Sequence, residues 1–144
     1  MIKTATHADC KALAEMAVQM WSESSVAELE SDFCEIINSN TYACFIKYSD
    51  NLPIGFAKCS LRNDYVEGTS TSPVGYLEGV FISKEYRNKG YGKELVSACE
   101  KWAKDMGCSE FASDCELTNT DSLKFHLSTG FSEENRIICF RKDI

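Results

Sequence analysis

The sequence predicts an α/β protein: a mixed, mostly antiparallel central sheet flanked by helices. Three observations carry this expectation. An apolar stretch, Tyr76 to Ile82, runs into a basic, glycine-bearing turn, Arg87-Asn88-Lys89-Gly90-Tyr91-Gly92, and then into apolar residues at Leu95, Val96, Cys99, Trp102, Ala103 and Met106. That recurrence puts one stripe on a 3.6-residue helix, so the segment reads strand, turn, helix. The order over the whole chain is strand, helix, helix, hairpin, strand, helix, strand, helix, strand, which implies helices packed on a mixed sheet. The composition, 44% hydrophobic and 26% charged with two prolines, is that of an ordinary globule.

Each element has its own signal. Residues 1–5 read as a first strand. His7 to Trp21 follows with apolar positions at Cys10, Leu13, Ala14, Ala17 and Trp21, and Thr6 as a helix cap. The polar connector Ser22-Glu23-Ser24-Ser25 leads to a second helix with its stripe at Val26, Leu29, Phe33, Ile36 and Ile37, stopped by Asn38-Ser39-Asn40. Tyr42 to Tyr48, the turn Ser49-Asp50-Asn51 and Pro53 to Leu61 form a hairpin. Arg62 to Val74 is a long polar loop, of the kind that is usually functional or mobile. Beyond the central helix, capped by Gly107, come a short strand at Glu110–Cys115, a helix at Asn119–Ser128 ended by Gly130-Phe131, and a last strand at Arg136–Arg141. At 144 residues, one domain spanning 1–144 is expected.

Composition excludes several classes. A net charge of −7 disfavours a nucleic-acid surface and is compatible with a polycationic small substrate. No apolar run approaches the ~20 residues of a membrane span, and the first residues look like strand, not signal segment, so a cytoplasmic protein is expected. The eight cysteines contain no Cys-x-x-Cys pair, and the two histidines, His7 and His126, are far apart in sequence. The cysteines therefore read as small reduced core residues and no metal site is expected.

A buried strand feeding a glycine turn at a helix start makes an anion cradle, because glycines admit close backbone approach and the first helical amides have no intrahelical partner. A P-loop would need a glycine at position 87 and Ser or Thr at 94, where Arg87 and Glu94 stand. A dinucleotide fingerprint would need a glycine at 95, which is Leu95. What remains, Arg-x-x-Gly-x-Gly after a strand, resembles the acetyl-CoA pyrophosphate loop of the GNAT N-acetyltransferase superfamily. Asn119-x-x-Ser122-x-x-x-His126-x-x-x-Gly130-Phe131 resembles the next motif of that superfamily. The blocks Asp64-Tyr65-Val66-x-Gly68, Ser72 to Ile82 and Glu110 to Asp114 look like its aminoglycoside 6′-N-acetyltransferase branch.

The resemblance implies acetyl transfer from acetyl-CoA to an aminoglycoside amine by direct attack, conferring antibiotic resistance, in a homodimer. The alternative acceptor is another cationic amine, such as a polyamine or peptide N-terminus; a non-catalytic acetyl-CoA-binding module is the reading of a different class. By resemblance, Arg87, Asn88, Lys89, Gly90, Tyr91, Gly92 and Lys93 bind the cofactor's pyrophosphate. The backbones of Val80, Phe81 and Ile82 pair with its pantetheine arm, and Asn119 either bonds the cofactor, caps its helix or does both.

Glu78 and Asp114 stand out from the residues themselves, since charged side chains seldom enter apolar strands without a partner. Asp114 is expected to orient and deprotonate the attacking ammonium. Glu78 binds a neighbouring amine or else pairs with an internal arginine. Trp21 and Tyr65 wall the acceptor pocket by resemblance, although Trp21 also continues a core stripe. Asn135 stands where the resistance enzymes often have a carboxylate, and His126 where the superfamily often has a tyrosine as acid for the thiolate. His126 is either that acid or a partly buried helix residue.

Overall fold

A computed structural model describes residues 1–144. Five strands form one sheet in the order β1-β2-β3-β4-β5, with β1 at Ile2–Thr4, β2 at Tyr42–Ser49, β3 at Leu52–Arg62, β4 at Val74–Ile82 and β5 at Phe111–Ser113. The first four pair antiparallel and β4 pairs parallel with β5, which is the mixed, mostly antiparallel sheet expected. The helices are α1 at Cys10–Ala17, α2 at Val26–Ile37, α3 at Tyr91–Asp105 and α4 at Thr120–Ser128.

Strand alternation divides the core into two layers. Cys44, Ile46 and Phe56 turn toward α1 and α2, where they bury against Leu13, Ala14, Ala17, Leu29 and Phe33. Ala43, Phe45, Ala57 and Cys59 turn the other way, onto Leu95, Val96 and Cys99 of α3. Each large side chain fully withdrawn here contributes about 1.5–3 kcal/mol.

Local chemistry sets the element ends. Ser25 and Glu28 cap α2 reciprocally: the Ser25 hydroxyl accepts from the Glu28 amide at 3.1 Å and the Glu28 carboxylate accepts from the Ser25 amide at 2.8 Å. Asp50 and Asn51, at φ of 48° and 65°, make the tight β2–β3 turn that two left-handed residues allow.

The β3–β4 register slips by one residue between Lys58 and Cys59, so that Lys58 faces Gly79, Cys59 faces Leu77, and Glu78 is the extra residue of a bulge. The consequence is visible in the packing. Leu77 and Val80, three apart, both face α3, while Phe81 faces α1 and α2.

Three expectations are corrected. The periodic stripe to Trp21 is not all helix: α1 ends at Ala17, and the stripe persists because Trp21 still meets Phe56 of the same layer, ring centroids 6.2 Å apart. The cysteines are not all separate, since Cys10 and Cys34 are joined by a disulfide with Cα atoms 5.7 Å apart. Packing of α1 on α2 brings together two residues whose separation of 24 gives no local signal. The last strand, Arg136–Arg141, is not formed. A strand needs a ladder partner, and the residues after Phe131 are exposed and lie off the sheet.

Candidate active site

β4 and β5 part company midway. Their pairing covers only Gly75 with Phe111, Tyr76 with Ala112 and Leu77 with Ser113, after which β5 ends and β4 runs on to Ile82. From Glu78 onward the β4 backbone on that side has no strand beside it. The bulge at Glu78 sits at the fork and re-aims the strand there. A cleft of about 160 Å³ fills the fork, lined by Gly79 and Val80 from β4, Ser113, Asp114 and Cys115 from the end of β5, and Asn119, Ser122 and His126 from α4 and its cap. Val80 and Ile82 send their side chains toward α3 and Phe81 toward the opposite layer. The backbone is therefore what this stretch of β4 offers along its free edge.

The glycine turn lies at the far end of that edge. Arg87 folds back so that its Nε donates to the Ile82 carbonyl at 2.8 Å, pinning the turn to β4. Asn88 and Gly90 take left-handed φ of 61° and 82°, and Gly90 caps α3 without a side-chain bond, leaving the first amides of α3 without a side-chain acceptor. Lys89 lies over the Tyr86 ring. Tyr91 carries Lys47 over its face at 4.6 Å, and the same ammonium pairs with Glu94 at 2.5 Å, so the first turn of α3 is tied to β2. Gly92 has a different reason to be glycine: a Cβ there would lie 2.7 Å from the Phe125 ring of α4. It lets α4 pack close to α3 and so sets one wall of the cleft.

At the fork, Tyr76 donates its hydroxyl to Asp114. Burial first, and then the Asp114 carboxylate, push the Tyr76 phenol well above its ordinary range. Arg62 stacks on the Tyr76 ring at 3.4 Å and donates to both Glu78 oxygens at 3.0 Å, while Ser60 donates to Glu78 at 2.5 Å. Of the two roles open to Glu78, the structure realises the internal arginine pair. Asp114 has no such cation: its bond from Tyr76 is a neutral one, and its negative charge faces the cleft.

Asn119 caps α4, its Oδ1 accepting from the Ser122 amide at 3.0 Å, and also lines the cleft, so both roles left open for it are compatible. His126 is held on both sides. Nδ1 lies 2.7 Å from the Ser122 carbonyl and Nε2 2.8 Å from the Ser113 hydroxyl. A carbonyl only accepts, which assigns the proton to Nδ1 and makes Nε2 of the neutral ring an acceptor for Ser113. On ring protonation Nε2 donates instead, and the Ser113 hydroxyl turns to the Leu77 carbonyl at 3.2 Å.

The aromatic and tail residues are dispersed. Trp21 packs over Gly79, where a Cβ would sit 3.0 Å from the indole, and belongs to the core layer of Phe56; its neighbour Met20, not Trp21, lines the cleft. Lys58 lies 5.6 Å from its ring centroid. Tyr65 is 77% exposed on the long loop, which is anchored beneath it by Val66 packing with Val74 and Tyr76. Asn135 donates to Glu67 of that loop at 2.9 Å and does not line the cleft. Sequence reading missed Ser113, Arg62 and Tyr76. Arg62 and the buried Tyr76 stand on neighbouring strands and meet only through the β3–β4 register, although Tyr76 and Ser113 both lie in blocks that the sequence singles out.

A free strand edge, a glycine turn at a helix start and a carboxylate facing the fork define a site for acyl transfer from an extended thioester cofactor. The chain belongs to the GNAT acetyltransferase family, whose model matches residues 10–131. An aminoglycoside N(6′)-acetyltransferase type 1 of Salmonella typhimurium is 44% identical over 108 residues, 75% of this chain and 74% of that protein. The crystal structure of the aminoglycoside 6′-N-acetyltransferase of Acinetobacter haemolyticus is 36% identical, covers 100% of this chain and 99% of its own, and superposes with a TM-score of 0.95. A second solved enzyme, in complex with the bisubstrate analogue CoA-S-monomethyl-acetylneamine, is 35% identical with a TM-score of 0.95 and covers 100% of this chain and 98% of its own.

Proposed function

We propose that this protein transfers the acetyl group of acetyl-CoA to the 6′-amine of aminoglycoside antibiotics, and that it confers resistance to them in the cytoplasm. The observation that carries the reading is the fork between β4 and β5, with an unpartnered backbone edge leading from the glycine turn to Asp114.

The pantetheine arm of acetyl-CoA lies along the edge of Val80, Phe81 and Ile82 as an added strand. Its pyrophosphate meets the first amides of α3, with Lys89 and Lys93 supplying charge and Arg87 holding the turn. Asp114, carrying the charge that no arginine offsets, binds the acceptor ammonium and takes its proton, directly or through one water. The neutral amine attacks the thioester carbon and a β4 amide donates to the oxyanion. Once bonded to carbon, the nitrogen gives up its second proton to water in the cleft; as the tetrahedral intermediate collapses, the C–S bond breaks and its electron pair goes to sulfur. The Ser113 hydroxyl delivers a proton to that sulfur and is replenished from protonated His126 Nε2. Trp21 and Tyr65 border the acceptor side, and Glu78, already paired with Arg62, orients that wall. Asn135, tied to Glu67, borders it from the tail.

A homodimer fits the same chain. The tail beyond Phe131 exposes Ile137, Ile138 and Phe140 at 63%, 81% and 91%, an apolar set that a second copy would cover, and the outer edge of β5 is free to accept a strand.

The test is release of CoA thiol from acetyl-CoA with paired acceptors, an aminoglycoside bearing a 6′-amine and a close analogue bearing a 6′-hydroxyl. Turnover with the amine alone is expected. Turnover with a polyamine or peptide and none with either aminoglycoside would overturn the substrate.

A further inference from the structure

His7, Cys10 and Cys34 come together where the start of α1 meets α2, and none of them lines the fork. We propose that, with the Cys10–Cys34 bond reduced, these three side chains form a binding site for a thiophilic divalent cation of the zinc type. Two sulfurs and one imidazole nitrogen, from a helical turn, α1 and α2, all lie within 4.8 Å of one another. In a tetrahedral thiolate–imidazole site, bonds of about 2.3 Å to sulfur and about 2.0 Å to nitrogen place neighbouring ligand atoms roughly 3.5–3.8 Å apart, so a small opening of the bonded pair suffices.

The imidazole is what a disulfide alone leaves unexplained. His7 lies with Nε2 2.6 Å from Oδ1 of Asn38, the C-terminal cap of α2. That amide oxygen only accepts, so Nε2 carries the proton and Nδ1 keeps its lone pair, the state in which histidine ligates. A carbonyl oxygen holding the outer ring N–H is the usual support of a metal-bound histidine. Cys10 is 2% exposed, Cys34 half-buried and His7 exposed, so the sulfurs are shielded and the open side faces water, which supplies the fourth ligand.

The chemistry balances without further components. A dithiol reductant transfers two electrons and two protons to the Cys10–Cys34 bond and leaves as its own disulfide. Binding of the cation then displaces the two thiol protons to solvent. A reducing compartment keeps the pair in the thiol form that the ion requires. In that form the cation replaces the covalent tie between α1 and α2, and so holds the layer that carries Leu13, Phe33 and Phe56.

The probe is cobalt(II), titrated anaerobically into the full chain after reduction by a dithiol and removal of the excess. One equivalent is expected to bring up thiolate-to-cobalt charge-transfer absorption together with the visible bands of a tetrahedral site, and one equivalent of zinc(II) to abolish both. The Cys34→Ser variant should lose the charge-transfer band. The His7→Ala variant, changed at an exposed position that leaves the fold intact, should keep the band with affinity lower by about tenfold or more. Zinc should raise the midpoint of thermal unfolding of the reduced protein by about 5 °C, and not that of the oxidised protein. Absence of a thiolate band at one equivalent overturns the proposal. So does a band that survives in Cys34→Ser, which would place the ion on cysteines outside this site, or equal binding by His7→Ala, which would leave the imidazole out of it.

Discussion

Asp9 is a buried carboxylate surrounded by donors: the Thr6 amide at 2.8 Å, the Thr6 hydroxyl at 2.9 Å, Lys3 at 3.0 Å and the Tyr48 hydroxyl at 3.0 Å. Burial works to raise its pKa, but the hydrogen bonds from Thr6, Lys3 and Tyr48 together outweigh it and bring the value down to about 2. A depressed carboxylate stabilises the fold above its unfolded pKa, and that contribution is lost as the pH falls through the folded value. The window is therefore from about pH 4 down to about pH 2, and the amount on the order of 2 kcal/mol. Asp9→Asn should lower the midpoint of thermal unfolding at pH 7 by several degrees, and the difference should vanish near pH 2 in parallel melts. Glu78 teaches a related lesson about legibility. Its anomaly in an apolar strand was plain in the sequence, but its partner Arg62 stands across the strand pair, and only the bulged register says that the two meet.

Among the elements, the β4–turn–α3 unit was the most legible, because its signals are local: an apolar run, a left-handed glycine and a helical stripe occupy consecutive residues. The purpose of the second glycine was not. Gly92 faces Phe125, more than thirty positions away, and no spacing rule reports a contact between two helices. Gly92→Ala would drive a Cβ into the Phe125 ring and push α4 off α3, costing about 1–3 kcal/mol of stability in denaturant unfolding. Because α4 carries Asn119 and His126, the KM for acetyl-CoA should rise as well. Phe125→Leu in the same chain should recover part of both losses. A Gly92→Ala protein with wild-type stability would show that α4 is not held by this contact.

On the scale of the whole molecule, the order of strands and helices is enough to foresee helices packed on a mixed sheet, because each element carries its own periodic apolar signal. The apolar residues Ile137, Ile138 and Phe140 give the end of the chain a strand pattern, yet within one chain it pairs with nothing. A strand pattern records that a residue is to be covered, not by which copy. If a second copy covers it, removing residues 137–144 should halve the mass observed by sedimentation at micromolar protein, while far-ultraviolet circular dichroism stays that of a folded chain. A wild-type protein that sediments as a monomer would contradict the dimer.

The proposed acetyl transfer rests on Asp114, the one carboxylate at the fork left without a cation, and this sets the most direct measurement. Thiol release with a 6′-amino aminoglycoside should be compared between the wild-type protein and Asp114→Ala, with acetyl-CoA binding measured alongside. Loss of a positioned base predicts a fall in kcat/KM for the acceptor of about 10²–10⁴-fold with acetyl-CoA affinity unchanged. Turnover by Asp114→Ala within about twofold of wild type would remove Asp114 from the chemistry, and with it the account of how this cleft works.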